Sequence, residues 1–202
     1  EVKRLSRVQI PPLPPVLKFM KLTRGERYSI PFLAAASCAI LASAPAQYLG
    51  RQQDDLLYII GAQSLLEGRF RLLTVPGEPP LYMINPGFPA LLAPLALIAG
   101  ENWFVYQTFC ALLLALSPWI IWLWLKKKIA ALDAALISAL FALNPVTLSQ
   151  AGTVMSETPY LLATFAILLA LEAPTNPAFA GAWLFAATSL RTAAVSLFPG
   201  SL

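Results

Sequence analysis

Residues 29–70 read SIPFLAAASCAILASAPAQYLGRQQDDLLYIIGAQSLLEGRF. The first part, Ser29 to Leu49, carries no charge and is long enough to cross a bilayer, which takes about 20 residues of helix. Two adjacent carboxylates, Asp54 and Asp55, stand just past its end. From there the pattern is helical: Tyr58, Ala62, Leu65 and Leu66 share one face, and Gln63, Ser64 and Glu67 lie on another. Gly68 is placed to end that helix, and Asp54 to cap it through the free N–H groups and the dipole of its first turn. Such a short amphipathic helix suits a membrane surface.

The rest of the chain extends this reading. Of its 202 residues, 58% are hydrophobic and 12% charged, the latter about half the usual share of about 25%. A soluble globule of this size could not hide so much apolar surface. The expected fold class is therefore an all-α polytopic membrane protein. Five segments look able to cross: about 30–48, 103–125, 129–148, 158–173 and 178–198. A sixth apolar stretch, NPGFPALLAPLALIAG from Asn85, is short and interrupted by Pro86, Pro89 and Pro94. It is expected to lie on or dip into the outer leaflet as a juxtamembrane helix.

Charge sets the orientation. Lys3, Arg4, Arg7, Lys18, Lys21, Arg24 and Arg27 precede the first span, and Lys126, Lys127 and Lys128 follow the second. The positive-inside rule puts both groups in the cytoplasm, so the chain crosses twice between them. Residues 1–28 then form a basic, proline-containing cytoplasmic tail, in which PPLPP is a polyproline II spacer. Residues 49–102 form a long extracytoplasmic loop holding Asp54, Asp55, Glu67, Glu78 and Glu101. A cleavable signal peptide is the alternative for the first span, since Ala42-Ser43-Ala44 resembles a cleavage site, but the basic region ahead of it is atypically long. The net charge of +4 reflects topology and does not point to nucleic acid.

The absence of histidine removes histidine-based acid–base chemistry and most transition-metal sites. No cofactor and no metal site is assigned; carboxylates alone could hold a divalent cation weakly, and nothing requires one. Cys38 and Cys110 lie inside apolar runs and read as buried free thiols. Asp133, close after the three lysines, reads as their local ion-pair partner.

Taken in order, DDLLYIIGAQSLLEG, NPGFPALLAPLALIAG, NPVTLSQAGTVMSETPYLLATFAILLAL and GAWLFAATSLRTAAVSLFPG form a pattern. It resembles the first extracytoplasmic loop and following spans of GT-C superfamily glycosyltransferases, in particular protein O-mannosyltransferase-like and aminoarabinose-transferase-like bacterial enzymes. The resemblance runs from about residue 29 to the end. It implies that residues 29–202 are the front portion of a longer transmembrane module in a bacterial inner membrane. It also implies sugar transfer from a polyprenyl-phosphate donor to a hydroxyl of a lipid, glycan or protein acceptor on the outer face, with inversion. Asp54, first of the acidic pair, matches the family's catalytic base. Asp55 beside it would raise one of the two proton affinities by repulsion. Tyr58 matches the tyrosine that follows the pair, and Glu157 the acid that opens a later span. Arg191 matches an arginine within a late span, where it would anchor the leaving phosphate.

Residue chemistry alone leaves other readings open. Asp54 could be only a helix cap, Asp55 only a solvated charge at a helix start, and Glu157 a cap with Ser156. Arg191 could snorkel to the interface. Glu78, in PGEPP, could contact an acceptor, without a motif to support it. A transporter or channel segment, or a non-catalytic membrane scaffold, remains the alternative function.

Overall fold

A computed structural model describes residues 22–44, 52–172 and 177–192. The tail expected over 1–28 lies outside these residues as far as position 21, as does the fifth expected span beyond Thr192. Among the described residues the chain is all-helical: α1 (Arg24–Ser43), α2 (Gln53–Leu66), α3 (Gly87–Ala99), α4 (Trp103–Leu125), α5 (Ala131–Ala142), α6 (Pro145–Gln150), α7 (Glu157–Glu172) and α8 (Pro177–Leu190). The only pairing of extended backbone among them is an isolated bridge between Arg71 and Pro80.

The helix α4 is the central strut and touches α1, α3, α5 and α7. Small side chains allow the close approach: Ala36 of α1, Ala115 of α4, and Ala139 and Ala142 of α5 are buried together with Ile40 and Leu114. Bonds between helix ends set the directions. Lys126, just past α4, pairs with Glu26 at the start of α1, so α1 and α4 run antiparallel. Glu172, at the end of α7, meets Lys128, so α4 and α7 run the same way. The bundle thus has a lysine end. At the opposite end α2 and α3 pack on each other and on the start of α4, through Tyr58, Ile59, Phe88, Leu92, Tyr106 and Cys110.

The lysine end is closed by polar contacts. Thr23 caps α1 in a reciprocal box with Glu26: the Glu26 N–H donates to Thr23 Oγ1 at 3.3 Å, and the Thr23 N–H to Glu26 Oε2 at 2.9 Å. The other oxygen, Glu26 Oε1, accepts from Lys126 Nζ at 2.9 Å. The bond from Lys126 first, and those from Thr23 next, hold the Glu26 carboxyl down at about 2. Lys126 also lies over the Trp122 ring at 4.3 Å, and Lys128 over Trp124 at 4.9 Å. Asp133 is exposed and makes no ion pair among the described residues: the lysines take Glu26 and Glu172 instead, which corrects the local pairing expected for it.

Three further expectations need correction. The segment 129–148 is not one helix. It breaks after Ala142, because Pro145 disfavours helix at the residue before it and is itself well suited to a first helical position. Asn144 accepts from the Val146 N–H at 2.8 Å and starts α6 afresh. The helix α2 does not lay one apolar face on a surface. Its expected polar face includes the buried Ser64, whose hydroxyl accepts from the Arg71 N–H at 2.8 Å, while Leu56 and Leu66 are exposed. The thiols are free, but only Cys110 is buried, and Cys38 faces outward from α1. Of the five expected spans, α4 alone among the described residues is long and apolar enough to qualify by itself.

Candidate functional site

The site sits at the end of the bundle opposite the lysines and is assembled from four separate pieces of chain. The helix α2 begins at Gln53, with Gln52 at the cap making no side-chain bond. Asp54 is therefore the second helical residue and not the cap, and its side chain is exposed. Asp55 is turned about 100° around the helix from it, as successive residues must be. It is buried, and its Oδ1 accepts from the Leu56 N–H at 2.7 Å. Helical geometry thus separates the acidic pair: Asp54 lines the polar pocket described next and Asp55 does not, which corrects its placement beside Asp54 in one site.

That pocket holds about 140 Å³ and is lined by Asp54, Tyr58, Asn85, Ser156, Glu157 and Arg191, among others. Tyr58 is one turn on from Asp54 and so shares its side of α2. The Tyr58 hydroxyl lies 3.0 Å from Ser156 Oγ, and its ring stands edge-on to Phe88, with centroids 4.9 Å apart at 74°. Burial pushes the phenol above its ordinary value. The Glu157 and Asp54 charges add to this, while the Ser156 bond and Arg191 oppose it. Tyr58 therefore stays a neutral O–H at physiological pH.

Glu157 opens α7, directly after Ser156. Its Oε1 pairs with Arg191 Nη1 at 2.5 Å. Its other oxygen, Oε2, is buried and has no hydrogen-bond partner among the described residues. Arg191 is expected in the outer part of a span covering 178–198. It is instead the first residue past α8, its N–H donating to Ala187 O at 3.0 Å. Its side chain is 42% exposed.

Glu78 is not brought to this pocket. It lies in the loop between α2 and α3 at a positive φ of 42°, held by Arg69 Nη1 at 2.9 Å. Its carboxylate, with a side chain 39% exposed, is thus occupied by Arg69 and lies apart from Asp54, Glu157 and Arg191.

Ser156, read only as a capping partner of Glu157, and Asn85 and Gly87, read only as part of the Asn85–Gly100 stretch, are not among the sequence-based site residues. A Cβ placed on Gly87 would fall 2.3 Å from Ser189 O, so the start of α3 and the end of α8 touch backbone to backbone there. Only glycine permits this approach, and the approach brings Arg191 to Glu157. The signal was present in NPGFP, where a glycine between prolines marks a constrained turn.

Two apolar clefts flank the pocket. One, of about 470 Å³, shares Glu157 and Arg191 with it and is lined further by Leu114, Phe141, Gln150 and Leu161. The other, of about 760 Å³, runs between α3, α4, α7 and α8 along Leu91, Leu116, Trp119, Leu162 and Trp183, and reaches the pocket at Leu190. No three His, Cys, Asp or Glu side chains among the described residues are grouped as a metal site needs.

The arrangement offers an exposed carboxylate, a neutral phenol and a half-exposed cation within one small pocket, bordered by apolar channels. Comparison of the chain with protein-family models, with curated proteins and with solved structures gives no match.

Proposed function

We propose that the chain is a polytopic membrane glycosyltransferase of the GT-C kind, or the front portion of one. It transfers a sugar from a polyprenyl-phosphate donor to an acceptor hydroxyl of a lipid, glycan or protein on the extracytoplasmic face. The observation that carries this reading is the meeting of Asp54 with the Glu157–Arg191 pair in a pocket bordered by long apolar clefts.

The bundle supports a membrane setting. Phe32, Leu112, Leu116, Leu140 and Phe185 are exposed on its flanks, while the ion pairs lie near its two ends. At 23 residues α4 is about 35 Å long, enough for a hydrocarbon core of about 30 Å. The third crossing would combine α5 and α6 in series. With the lysine end in the cytoplasm, the polar pocket lies at the outer surface, where a lipid phosphate sits.

In this mechanism the Asp54 carboxylate accepts the proton of the acceptor hydroxyl. The oxygen attacks the anomeric carbon from the face opposite the phosphate. The bond from that carbon to the phosphate oxygen breaks, its electron pair leaves with the phosphate, and the configuration inverts. Arg191 binds the departing dianion. Tyr58, neutral and one turn from Asp54, can donate a hydrogen bond to the sugar or the acceptor.

The test is transfer from a polyprenyl-phosphate sugar by the full-length protein in liposomes. Asp54→Asn is expected to lower turnover by about 10²–10⁴-fold, the usual contribution of a general base. Full turnover in that variant would sink the mechanism.

A further inference from the structure

The polar pocket is too small for the head group it is proposed to serve. Its volume of about 140 Å³ falls below the roughly 300–1,000 Å³ of ordinary ligand sites. The neighbouring cleft, at about 470 Å³, falls inside that range. Glu157 and Arg191 line both spaces, so their ion pair lies between the two. The pair is also internally lopsided: Glu157 Oε1 is on Arg191, while Oε2 is buried with no hydrogen-bond partner among the described residues. A phosphate arriving at Arg191 would meet this second, negatively charged oxygen at close range.

Building on the transferase reading, the geometry points to the Glu157–Arg191 pair as a closed partition between the polar pocket and the 470 Å³ cleft. The anionic head of a long-chain amphiphile opens it by taking Arg191 from Glu157, and the tail of that molecule fills the cleft. Charge complementarity selects this cleft over the larger one. The 470 Å³ cleft carries the arginine in its own wall, whereas the 760 Å³ cleft meets the pocket only at Leu190. Leu114, Phe141, Val146 and Leu161 give the tail an apolar seat. Glu157 is then a positioning residue that competes with the ligand for Arg191 in the empty state.

The sign of one substitution decides this. If Glu157 competes with the ligand, Glu157→Gln removes both the competitor and the repulsion at nearly constant shape, and anionic amphiphiles bind more tightly. If Glu157 instead holds Arg191 ready, the same change weakens binding. The experiment measures binding of a radiolabelled polyprenyl monophosphate to the full chain in nanodiscs, with the corresponding neutral polyprenol and inorganic phosphate as competitors. Glu157→Gln should tighten binding about two- to fivefold, the scale of a half-exposed ion pair. Arg191→Gln should weaken it. Leu161→Trp and Thr164→Trp, which fill the 470 Å³ cleft, should weaken it, and Ala166→Trp, which projects into the other cleft, should not. Thermal unfolding of each variant separates lost binding from lost fold, and two filling variants guard against failure of either.

No binding by the wild-type chain would remove the proposed donor and the transferase reading with it. Arg191-dependent binding that Glu157→Gln weakens or leaves unchanged would keep that reading and overturn the partition. Loss caused by Ala166→Trp alone would put the tail in the larger cleft and overturn the seat assigned here.

Discussion

At the lysine end of the bundle, both oxygens of Glu26 are engaged, one by Lys126 and the other by Thr23. Glu172 accepts from Lys128 at 2.6 Å and from Trp124 at 2.9 Å. At the opposite end Glu157 has one oxygen on Arg191 and the other unpaired among the described residues, and Asp54 stands exposed in the same pocket. The two ends hold similar charges. One has spent them on joining α1, α4 and α7, whereas the other leaves them able to meet a ligand. A buried polar atom without a partner costs about 1–3 kcal/mol, which sets the Glu157 oxygen apart from the fully engaged carboxylates of the lysine end.

The difference can be broken from either side. The largest effect should come from pairing Asp54→Asn with Glu26→Gln. Asp54→Asn should cost transfer about 10²–10⁴-fold yet shift stability by less than about 1 kcal/mol, since an exposed charge in a first turn contributes no more than that. Glu26→Gln should do the reverse, lowering the unfolding midpoint in detergent while transfer persists. If both variants lost only stability, the two ends would be equivalent.

A second effect concerns how the pocket end is assembled. Gly87→Ala puts a methyl 2.3 Å from Ser189 O, so α3 and α8 must separate. Chemical or thermal unfolding should show a loss of about 1–3 kcal/mol, typical of overpacking. Gly181→Ala, in α8 but with nothing within 4 Å, should instead gain about 0.5–1 kcal/mol. Equal behaviour of the two glycines would remove the close approach that seats Arg191.

Tyr58→Phe should have a smaller effect. It deletes the bond to the buried Ser156 hydroxyl, at a cost of about 1 kcal/mol in unfolding free energy, and keeps the packing on Phe88. No change would mean that Ser156 finds another partner.

The smallest effect is expected in the pH dependence of the lysine end. The Glu26 carboxyl lies at about 2 in the folded chain against an ordinary 4.5. A carboxyl lowered by folding stabilises the fold fully above its unfolded value and loses that contribution as pH falls through the folded value. The unfolding midpoint should therefore drop between pH 4.5 and 2, and Lys126→Met should shallow that drop. An unchanged slope in Lys126→Met would show that Thr23 alone holds Glu26 down.

Much of the local structure was legible in the sequence. The apolar segments overlap α1, α3, α4, α7 and α8, with α4 matching 103–125 in full, whereas α1 begins six residues before its expected start and α8 ends eight residues before its expected end. Gly68 ends α2 with a φ of 71°, a conformation that glycine adopts without penalty. The break before Pro145 could also have been read, because proline disfavours helix at the residue ahead of it. Reading 129–148 as continuous gave hydropathy more weight than backbone sterics.

What residue identity and spacing determined by themselves is helical content, the clustering of ten of the fourteen basic residues in two places, and the small number of carboxylates. Only the tertiary structure decided which of these act together. Asp54 and Asp55 are indistinguishable as letters, and the rotation of about 100° between successive helical residues sends the first to the pocket and buries the second. Arg191 reaches Glu157 because the end of α8 lies against Gly87, more than a hundred residues earlier in the chain. Such contacts depend on how helices pack, and packing is settled by the shapes of surfaces brought together from distant parts of the chain. No local pattern encodes that meeting, so the pocket appears only once the helices are in place.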